Sequence, residues 1–299
     1  MRLWIWNGCL PVGKGVLSTF WEVEHELKKL SIVCCCDCRR RADFSKGEFS
    51  SRKPNWTASH PLAEGVNGSM KERQSHAWVI VDSATVPTDG NVVRLYRRGE
   101  EFAIRVESSE LMASGVHGSE DALAKEACLR IKNCDAPRLL IGGLGMGYTL
   151  AAALGCLGAD AEVVVAEIVP AVVLWNRGLL AHLAGAPLED SRVRVLELDV
   201  ALALQSATSA YDAILLDVDN GPRALTSAGN GWLYSPAGLD RTRSALAPGG
   251  ILAVWSAWPD RSFTSRLRRA GFHVEQVTVR SRGARGGRKH VLWLAGRQD

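Results

Sequence analysis

Three acidic residues each follow an apolar run at the place where a parallel strand would end. Glu167 follows EVVVA, Asp199 follows VRVLEL, and Asp217 follows AILL within the segment YDAILLDVDNGP. In an open parallel sheet, ligands bind outside the carboxyl ends of the strands, so these carboxylates would meet in one cleft. Such carboxylates could hold ribose hydroxyls (Glu167), meet the exocyclic amine of adenine (Asp199) and face a reacting group (Asp217).

A glycine-rich loop precedes the first of these acids, in RLLIGGLGMGYTL from Arg138 to Leu150. This run predicts a strand, a tight turn and a helix start. Glycines permit the turn and the close approach of a ligand, and a helix N-terminus offers free N–H groups. Glu167 lies twenty residues after the last glycine, a spacing typical of nucleoside-binding α/β folds. We therefore predict a nucleoside site formed by Gly142, Gly143, Gly145, Gly147, Glu167 and Asp199.

Two of the acids also have a structural interpretation. Asp199 could be the N-cap of the helix that follows it, and Asp217 could be a helix cap or a turn former. One acid at the end of a strand is common, whereas three in register favour a binding site.

The segments that would position these residues alternate between strands and helices, which is typical of a doubly wound sheet. The chain closes with two predicted strands, His273–Val279 and His290–Ala295, joined by a basic, glycine-rich loop. A terminal strand pair in this order is the arrangement of S-adenosylmethionine-dependent transferases, and it favours a sulfonium nucleoside over NAD. The predicted fold class is α/β, with a doubly wound, mostly parallel seven-stranded sheet that follows a small antiparallel β unit.

The chain divides into three predicted parts. Residues 1–75 show no sustained period and are expected to form a poorly ordered N-terminal extension. Residues 76–115 contain the strand-like runs WVIVDSA, VVRLYRR and EFAIRVE, which predict the small β unit, with a hairpin turn at Arg98–Glu100. Residues 116–299 form the nucleoside-binding transferase domain, which begins with a helix predicted over Ser119–Lys132 with Ser119 as its N-cap.

The composition excludes several classes of protein. A net charge of +4 and a hydrophobic fraction of 46% are ordinary for a globular protein and do not indicate nucleic-acid binding. Four of the eight cysteines crowd at residues 34–38 without the second pair that a zinc site needs, so no metal is expected. Residues 139–159 are uncharged, but glycines bunch within them, so they predict a strand and a helix rather than a membrane span. We expect a cytoplasmic protein.

At these residues the chain resembles the spermidine synthase family of polyamine aminopropyltransferases, from about Val92 to Leu294. The loop Gly142–Gly147 is similar to the family's GGGDGG loop, and Leu198–Val200 to its Gly-Asp-Ala stretch. Tyr211–Pro222 is similar to its YDxIxxDxxDP motif, and VHGSE at Val116–Glu120 is YHE-like.

The resemblance implies that an amine attacks a carbon activated by a sulfonium, and that Asp217 accepts or orients the amine's proton. It implies decarboxylated S-adenosylmethionine as co-substrate. It also implies substrate-binding roles for Asp219, Asn220 and Tyr234. His117, which precedes a predicted helix, is a further substrate-binding candidate, and a cap or turn histidine is its structural alternative.

Two positions depart from the family's motifs. The loop aspartate is Gly145 here, and the second aspartate of the DxxD run is Asn220. In the family the loop acid pairs with the free ammonium of the decarboxylated cofactor and would repel the carboxylate of intact S-adenosylmethionine. Gly145 removes that discrimination. Asn220 leaves less charge to hold a dicationic diamine, although Asp219 could substitute.

The main expectation is a spermidine synthase-like transferase that moves an aminopropyl group to a small-molecule amine. Methyl transfer from S-adenosylmethionine is the alternative, because Gly145 permits it. A second alternative is a non-catalytic nucleoside- or RNA-binding module that uses the basic loop at 280–290. Asp217 weighs against this, because binding alone needs no acid at the reacting end. No membrane partner is expected, nucleic acid is disfavoured, and the acceptor and a homodimer stay open.

Overall fold

A computed structural model describes residues 77–218, 221–222 and 231–298. The predicted extension at 1–75 and two of the predicted substrate-binding residues, Asp219 and Asn220, lie outside the described residues. In the part of the chain that is described, no helix has the length and apolar character needed to cross a membrane.

The first four strands form a small antiparallel sheet. They are β1 (Val79–Thr85), β2 (Val92–Arg98), β3 (Glu101–Val106) and β4 (Ser109–Ala113), and they pair in that order. Strands β2 and β3 form the predicted hairpin. The sequence prediction missed β4, because its five residues include no β-branched or aromatic side chain.

Seven strands form the central sheet. They are β5 (Arg138–Gly142), β6 (Glu162–Ala166), β7 (Val193–Leu196), β8 (Tyr211–Leu216), β9 (Leu246–Ser256), β10 (Phe272–Arg280) and β11 (Lys289–Arg297). Their spatial order is β10-β11-β9-β8-β5-β6-β7. Strands β5 to β9 run parallel, whereas β11 is antiparallel to both β9 and β10. The predicted fold class, including the terminal strand pair, is confirmed.

The described helices alternate with these strands. They are α1 (Gly118–Arg130), α2 (Tyr148–Leu154), α3 (Pro170–Arg177), α4 (Val200–Ser206), α5 (Pro236–Ala245) and α6 (Arg261–Arg269). Helix α3 ends at Arg177. Gly178 follows it with φ −126° and ψ −104°, which lies outside the helical region.

Hydrophobic cores lie on both faces of the central sheet. Because side chains alternate along a strand, Leu139 and Ile141 of β5 pack with α1, α2, α3 and the small sheet, whereas Leu140 packs with α4, α5 and α6. All three are at most 1% exposed. The small sheet therefore shares a core with one face of the central sheet.

The start of α1 differs from the prediction. Its N-cap residue is His117, whose side chain makes no capping hydrogen bond, and Ser119 lies inside the first turn. The Ser119 hydroxyl instead donates a 2.6 Å hydrogen bond to the carboxylate of Glu120. The serine therefore orients an acidic side chain rather than capping the helix.

Candidate active site

A cleft of about 200 Å³ lies at the carboxyl ends of β5, β6 and β8. The small sheet lines it through Val93, Ile104 and Met112. The central domain lines it through the glycine loop and through the acids predicted from the sequence, Glu167, Asp199 and Asp217. The structure thus brings all three acids together at the place where ligands bind in open α/β sheets.

The glycine loop lies close against the backbone at the end of β8. Gly143 has φ +89°, and a Cβ atom there would lie 2.5 Å from the carbonyl oxygen of Asp217. The Gly143 N–H donates a 2.9 Å hydrogen bond to the Ala166 carbonyl at the end of β6. Only glycine fits this position, because both the backbone angle and the space exclude a side chain.

The four loop glycines have different positions. Gly143 and Gly145 line the cleft. Gly142 ends β5 and is packed beneath Val200, and Gly147 precedes the first residue of α2. Gly143 and Gly145 are therefore placed to contact a ligand, whereas Gly142 shapes the strand end and Gly147 the helix start.

Met112 of β4 occupies the space beside Gly145. The Met146 N–H lies 3.1 Å from the Met112 sulfur, and a Cβ atom on Gly145 would lie 3.0 Å from that same sulfur. Gly145 itself has φ +54°, and its carbonyl accepts a 2.8 Å hydrogen bond from Asn176. A thioether thus lies where the resemblance led us to look for a loop carboxylate.

Glu167 is buried, and its carboxylate is hydrogen-bonded to the backbone of the glycine loop and to that of the residue before α3. Its two carboxylate oxygens accept 2.9 Å hydrogen bonds from the N–H groups of Leu144 and Val169. Burial raises the pKa of Glu167, and the backbone N–H groups oppose this. Because each carboxylate oxygen has a second lone pair, Glu167 can still accept ribose hydroxyls while it holds the glycine loop.

Replacing Glu167 with alanine should weaken nucleoside binding by roughly 1.5–3 kcal/mol, the range for a hydrogen bond to a charged group. The melting temperature should also fall, because the Leu144 and Val169 N–H groups lose their acceptor. The measurement is calorimetric titration with S-adenosylmethionine, together with thermal unfolding. Glu162→Ala is the matched control, since Glu162 begins β6, the strand that Glu167 follows, and is paired with Arg138 outside the cleft. Unchanged affinity in folded Glu167→Ala protein would remove Glu167 from the site.

The position of Asp199 fits both of the roles considered for it. It is the N-cap of α4, where its side chain accepts a 2.8 Å hydrogen bond from the Ala201 N–H, and it also lines the cleft. The cap uses one carboxylate oxygen, which leaves the other to meet a donor such as the exocyclic amine of adenine.

Asp217 follows the last residue of β8 and lies next to the glycine loop. Its carboxylate accepts a 2.6 Å hydrogen bond from the Thr149 hydroxyl at the start of α2. Burial raises the pKa of Asp217, and the Thr149 hydrogen bond acts in the opposite direction. A carboxyl with a raised pKa and one fixed oxygen is suited to accept a proton through the other oxygen.

Two predicted substrate-binding residues lie outside the cleft. Tyr234 is 1% exposed and packs edge-to-face on Phe263, with ring centroids 5.5 Å apart, so it belongs to the core. His117 stacks on Tyr148 at 4.1 Å and places Nδ1 3.1 Å from the Asp121 carboxylate. His117 lines a separate surface depression beside the basic C-terminal loop.

At the level of sequence, no protein-family model matches the chain, and no curated protein matches it. Its structure matches that of spermidine synthase from Thermotoga maritima with a TM-score of 0.58 and 14% identity, over 73% of this chain and 72% of that one. A spermidine synthase in complex with the transition state analogue AdoDATO matches with a TM-score of 0.57 and 15% identity, over 73% and 72%. A probable spermidine synthase from Corynebacterium glutamicum matches with a TM-score of 0.51 and 15% identity, over 73% and 79%.

The chain has the spermidine synthase fold. At 14–15% identity these matches establish the fold alone, and the chemistry depends on the residues in the cleft.

Within this spermidine synthase fold, Glu120 is a cleft residue that was not predicted from the sequence. Glu120 lies in the first turn of α1, lines the cleft and is only 8% exposed. Burial, followed by the negative charge of Asp217, raises the pKa of Glu120 to about 7. The sequence suggested only that Glu120 was a favourable acid near a helix N-terminus, which is why its pattern did not indicate a site. Among the described residues, no group of His, Cys, Asp and Glu could hold a metal ion.

Proposed function

We propose that this protein is a transferase that moves the aminopropyl group of decarboxylated S-adenosylmethionine to an amine acceptor. The observation that carries the proposal is Asp217, a carboxyl with a raised pKa beside the glycine loop, in the cleft that Glu167 also lines. The spermidine synthase fold supports the same conclusion, since the neighbours that share it are spermidine synthases by name.

The proposed reaction needs one nucleophile, one leaving group and one proton acceptor. The amine nitrogen forms a bond to the carbon next to the sulfonium, the carbon–sulfur bond breaks, and its electron pair leaves with sulfur as a neutral thioether. An acceptor that arrives as an ammonium ion first loses a proton, which Asp217 accepts and later releases to water. Thr149 holds the Asp217 carboxylate during this exchange.

The glycine loop and Glu167 would hold the nucleoside in this reaction. Gly143 and Gly145 allow the backbone to lie close to the ligand, and Glu167 faces the cleft with lone pairs left for ribose hydroxyls. Asp199 would accept from adenine. The acceptor amine would then approach from the side of Asp217.

The test is turnover with decarboxylated and with intact S-adenosylmethionine, each supplied with a panel of alkyl mono- and diamines. Release of methylthioadenosine from the decarboxylated form would support aminopropyl transfer. Wild type that binds and uses only the intact form would overturn it.

Methyl transfer is the second candidate function, because of one specific observation. Where a loop carboxylate would pair with the ammonium of the decarboxylated cofactor, the chain has Gly145 and the thioether of Met112. Neither group repels the carboxylate of intact S-adenosylmethionine. Release of S-adenosylhomocysteine in the same assay would support this candidate.

Replacing Gly145 with aspartate should shift cofactor preference toward the decarboxylated form by about 1–3 kcal/mol in relative affinity. The new carboxylate would pair with the ammonium and repel the intact carboxylate. The Met112 side chain must move, and it can because the contact is with the far end of a flexible residue. Calorimetric titration with both nucleosides measures the shift.

Gly145→Asn is the matched control for this substitution. Asparagine has nearly the same size and meets the same positive φ of +54°, but it carries no charge. An equal shift with asparagine would show that space rather than charge controls the preference. A second pair of variants that also carry Met112→Ala relieves the contact and keeps the comparison interpretable.

A further inference from the structure

A second carboxyl lies in the cleft beside Asp217. Glu120 comes from α1, far from β8 in the sequence, and it is 8% exposed. The Ser119 hydroxyl donates to its carboxylate at 2.6 Å, just as the Thr149 hydroxyl donates to that of Asp217 at 2.6 Å. Each carboxyl therefore has one oxygen fixed by a hydroxyl from a neighbouring residue.

The two carboxyls interact with each other and with no described cation. The charge of Asp217 acts on Glu120, and the nearby Asp121 adds to the same effect. Among the described residues, the groups that shift the pKa values of Glu120 and Asp217 include no lysine, arginine or histidine. Tyr148 packs near this end of α1. Burial, followed by the negative charges of Asp121 and Glu120, raises its pKa to about 12.

Two like-charged groups that are largely removed from water destabilise the free protein. Each loses hydration, and each raises the cost of ionising the other. A cation placed between them would relieve both costs, and a protonated amine also supplies N–H donors for the remaining carboxylate lone pairs. Most of the other side chains that line the cleft are apolar, among them Val93, Ile104, Val106 and Trp255, which suits an amine on an aliphatic or aromatic stem.

We infer that Glu120 and Asp217 together form a subsite for a protonated primary amine, with Glu120 holding the charge while Asp217 accepts the proton. This inference rests on the proposed function, and it applies to aminopropyl and to methyl transfer alike. In the DxxD run this chain has Asn220 in place of the second aspartate. We expect Glu120 of α1 to supply the second acid of the subsite.

The division of roles follows from the proton count. An amine that enters as an ammonium ion brings one positive charge, and it must lose one proton before its nitrogen can attack. Asp217 takes that proton and becomes neutral. Glu120 then remains ionised and faces the positive charge that forms on the nitrogen when the new carbon–nitrogen bond is made.

The experiment measures probe binding to the full chain saturated with methylthioadenosine or S-adenosylhomocysteine, the nucleoside products that carry no group to transfer, by calorimetry at pH 7.5. The probes are n-butylamine, 1,4-diaminobutane and the neutral n-butanol. We expect the amines to bind and the alcohol not to bind. Glu120→Gln should weaken amine binding roughly 10- to 100-fold, as for a lost charge-assisted hydrogen bond, and leave nucleoside affinity unchanged.

Matched variants separate a binding role from a structural one. Glu126→Gln lies on the same helix, where Glu126 pairs with Arg130 on the surface, and it should change neither affinity. Glu120→Asp retains the charge and should restore part of the amine affinity that glutamine loses.

Equal binding of amine and alcohol, or unchanged amine affinity in Glu120→Gln, would overturn the subsite. Wild type that binds the nucleoside but no amine would overturn it as well and leave nucleoside binding standing, whereas wild type that binds neither nucleoside would overturn the proposed function.

Discussion

Asp217→Asn should lower turnover by about 10²–10⁴ and retain nucleoside affinity. An asparagine oxygen can still accept the hydrogen bond from the Thr149 hydroxyl, so the side chain keeps its position. An amide cannot accept the amine's proton, so only the chemical step suffers. Single-turnover kinetics with the productive nucleoside, set beside calorimetric affinity, provide the measurement.

Asp212→Asn is the matched control for this substitution. Asp212 lies on β8 at the end opposite Asp217, where its carboxylate accepts a 2.8 Å hydrogen bond from the Arg138 N–H outside the cleft. This control should leave turnover near that of the wild type. If Asp217→Asn also retains turnover, Asp217 is not the proton acceptor and the proposed chemistry fails.

The sequence predicted the α/β fold well because the central sheet depends on local patterns. Strands β5, β6 and β8 are apolar runs that are buried on both faces, and a glycine follows the last residue of both α2 and α3. The small sheet was predicted less completely. Strand β4 is a strand because it pairs with β3, and no residue of its own signals that pairing.

The nucleoside side of the candidate site was predictable for the same reason. Glu167, Asp199 and Asp217 each sit at a fixed offset from a strand, so parallel topology alone brings them together. Met112 and Glu120 approach the cleft from β4 and α1, whose positions depend on tertiary packing. No motif or regular spacing in the sequence indicates that Met112 and Glu120 lie in the cleft.

Two residues that were predicted at the site lie elsewhere. The Tyr234 ring fills a gap against Phe263 in the core, and the His117 ring stacks on Tyr148. In both cases an aromatic ring finds a packing partner that the sequence does not disclose. A motif match predicts which backbone segment lies near a site better than it predicts where a side chain points.

Glu120→Gln should make the protein more stable than the wild type at pH 8, by about 3 kcal/mol in the free energy of unfolding, and by less than about 1 kcal/mol at pH 5. In the unfolded chain the pKa of Glu120 is near 4.5, and in the folded protein burial and then the charge of Asp217 raise it to about 7. Between these two values the folded state binds more protons than the unfolded state. The stability of the wild type therefore falls as the pH rises through this interval, and glutamine removes that loss.

The substitution is close to neutral at low pH because a protonated glutamate and a glutamine have almost the same shape. The Ser119 hydroxyl can donate to either side chain. Urea unfolding from pH 5 to pH 8 gives the difference in free energy between the variant and the wild type, and Glu126→Gln serves as the control on the same helix, where its pairing with Arg130 is on the surface. Asp217 lies beside Glu120 in both proteins, so the difference between the curves isolates Glu120 together with its coupling to Asp217. A difference that stays constant from pH 5 to pH 8 would mean that Glu120 ionises as freely in the folded protein as in water, and the cleft would then lack the charge pair that the amine subsite requires.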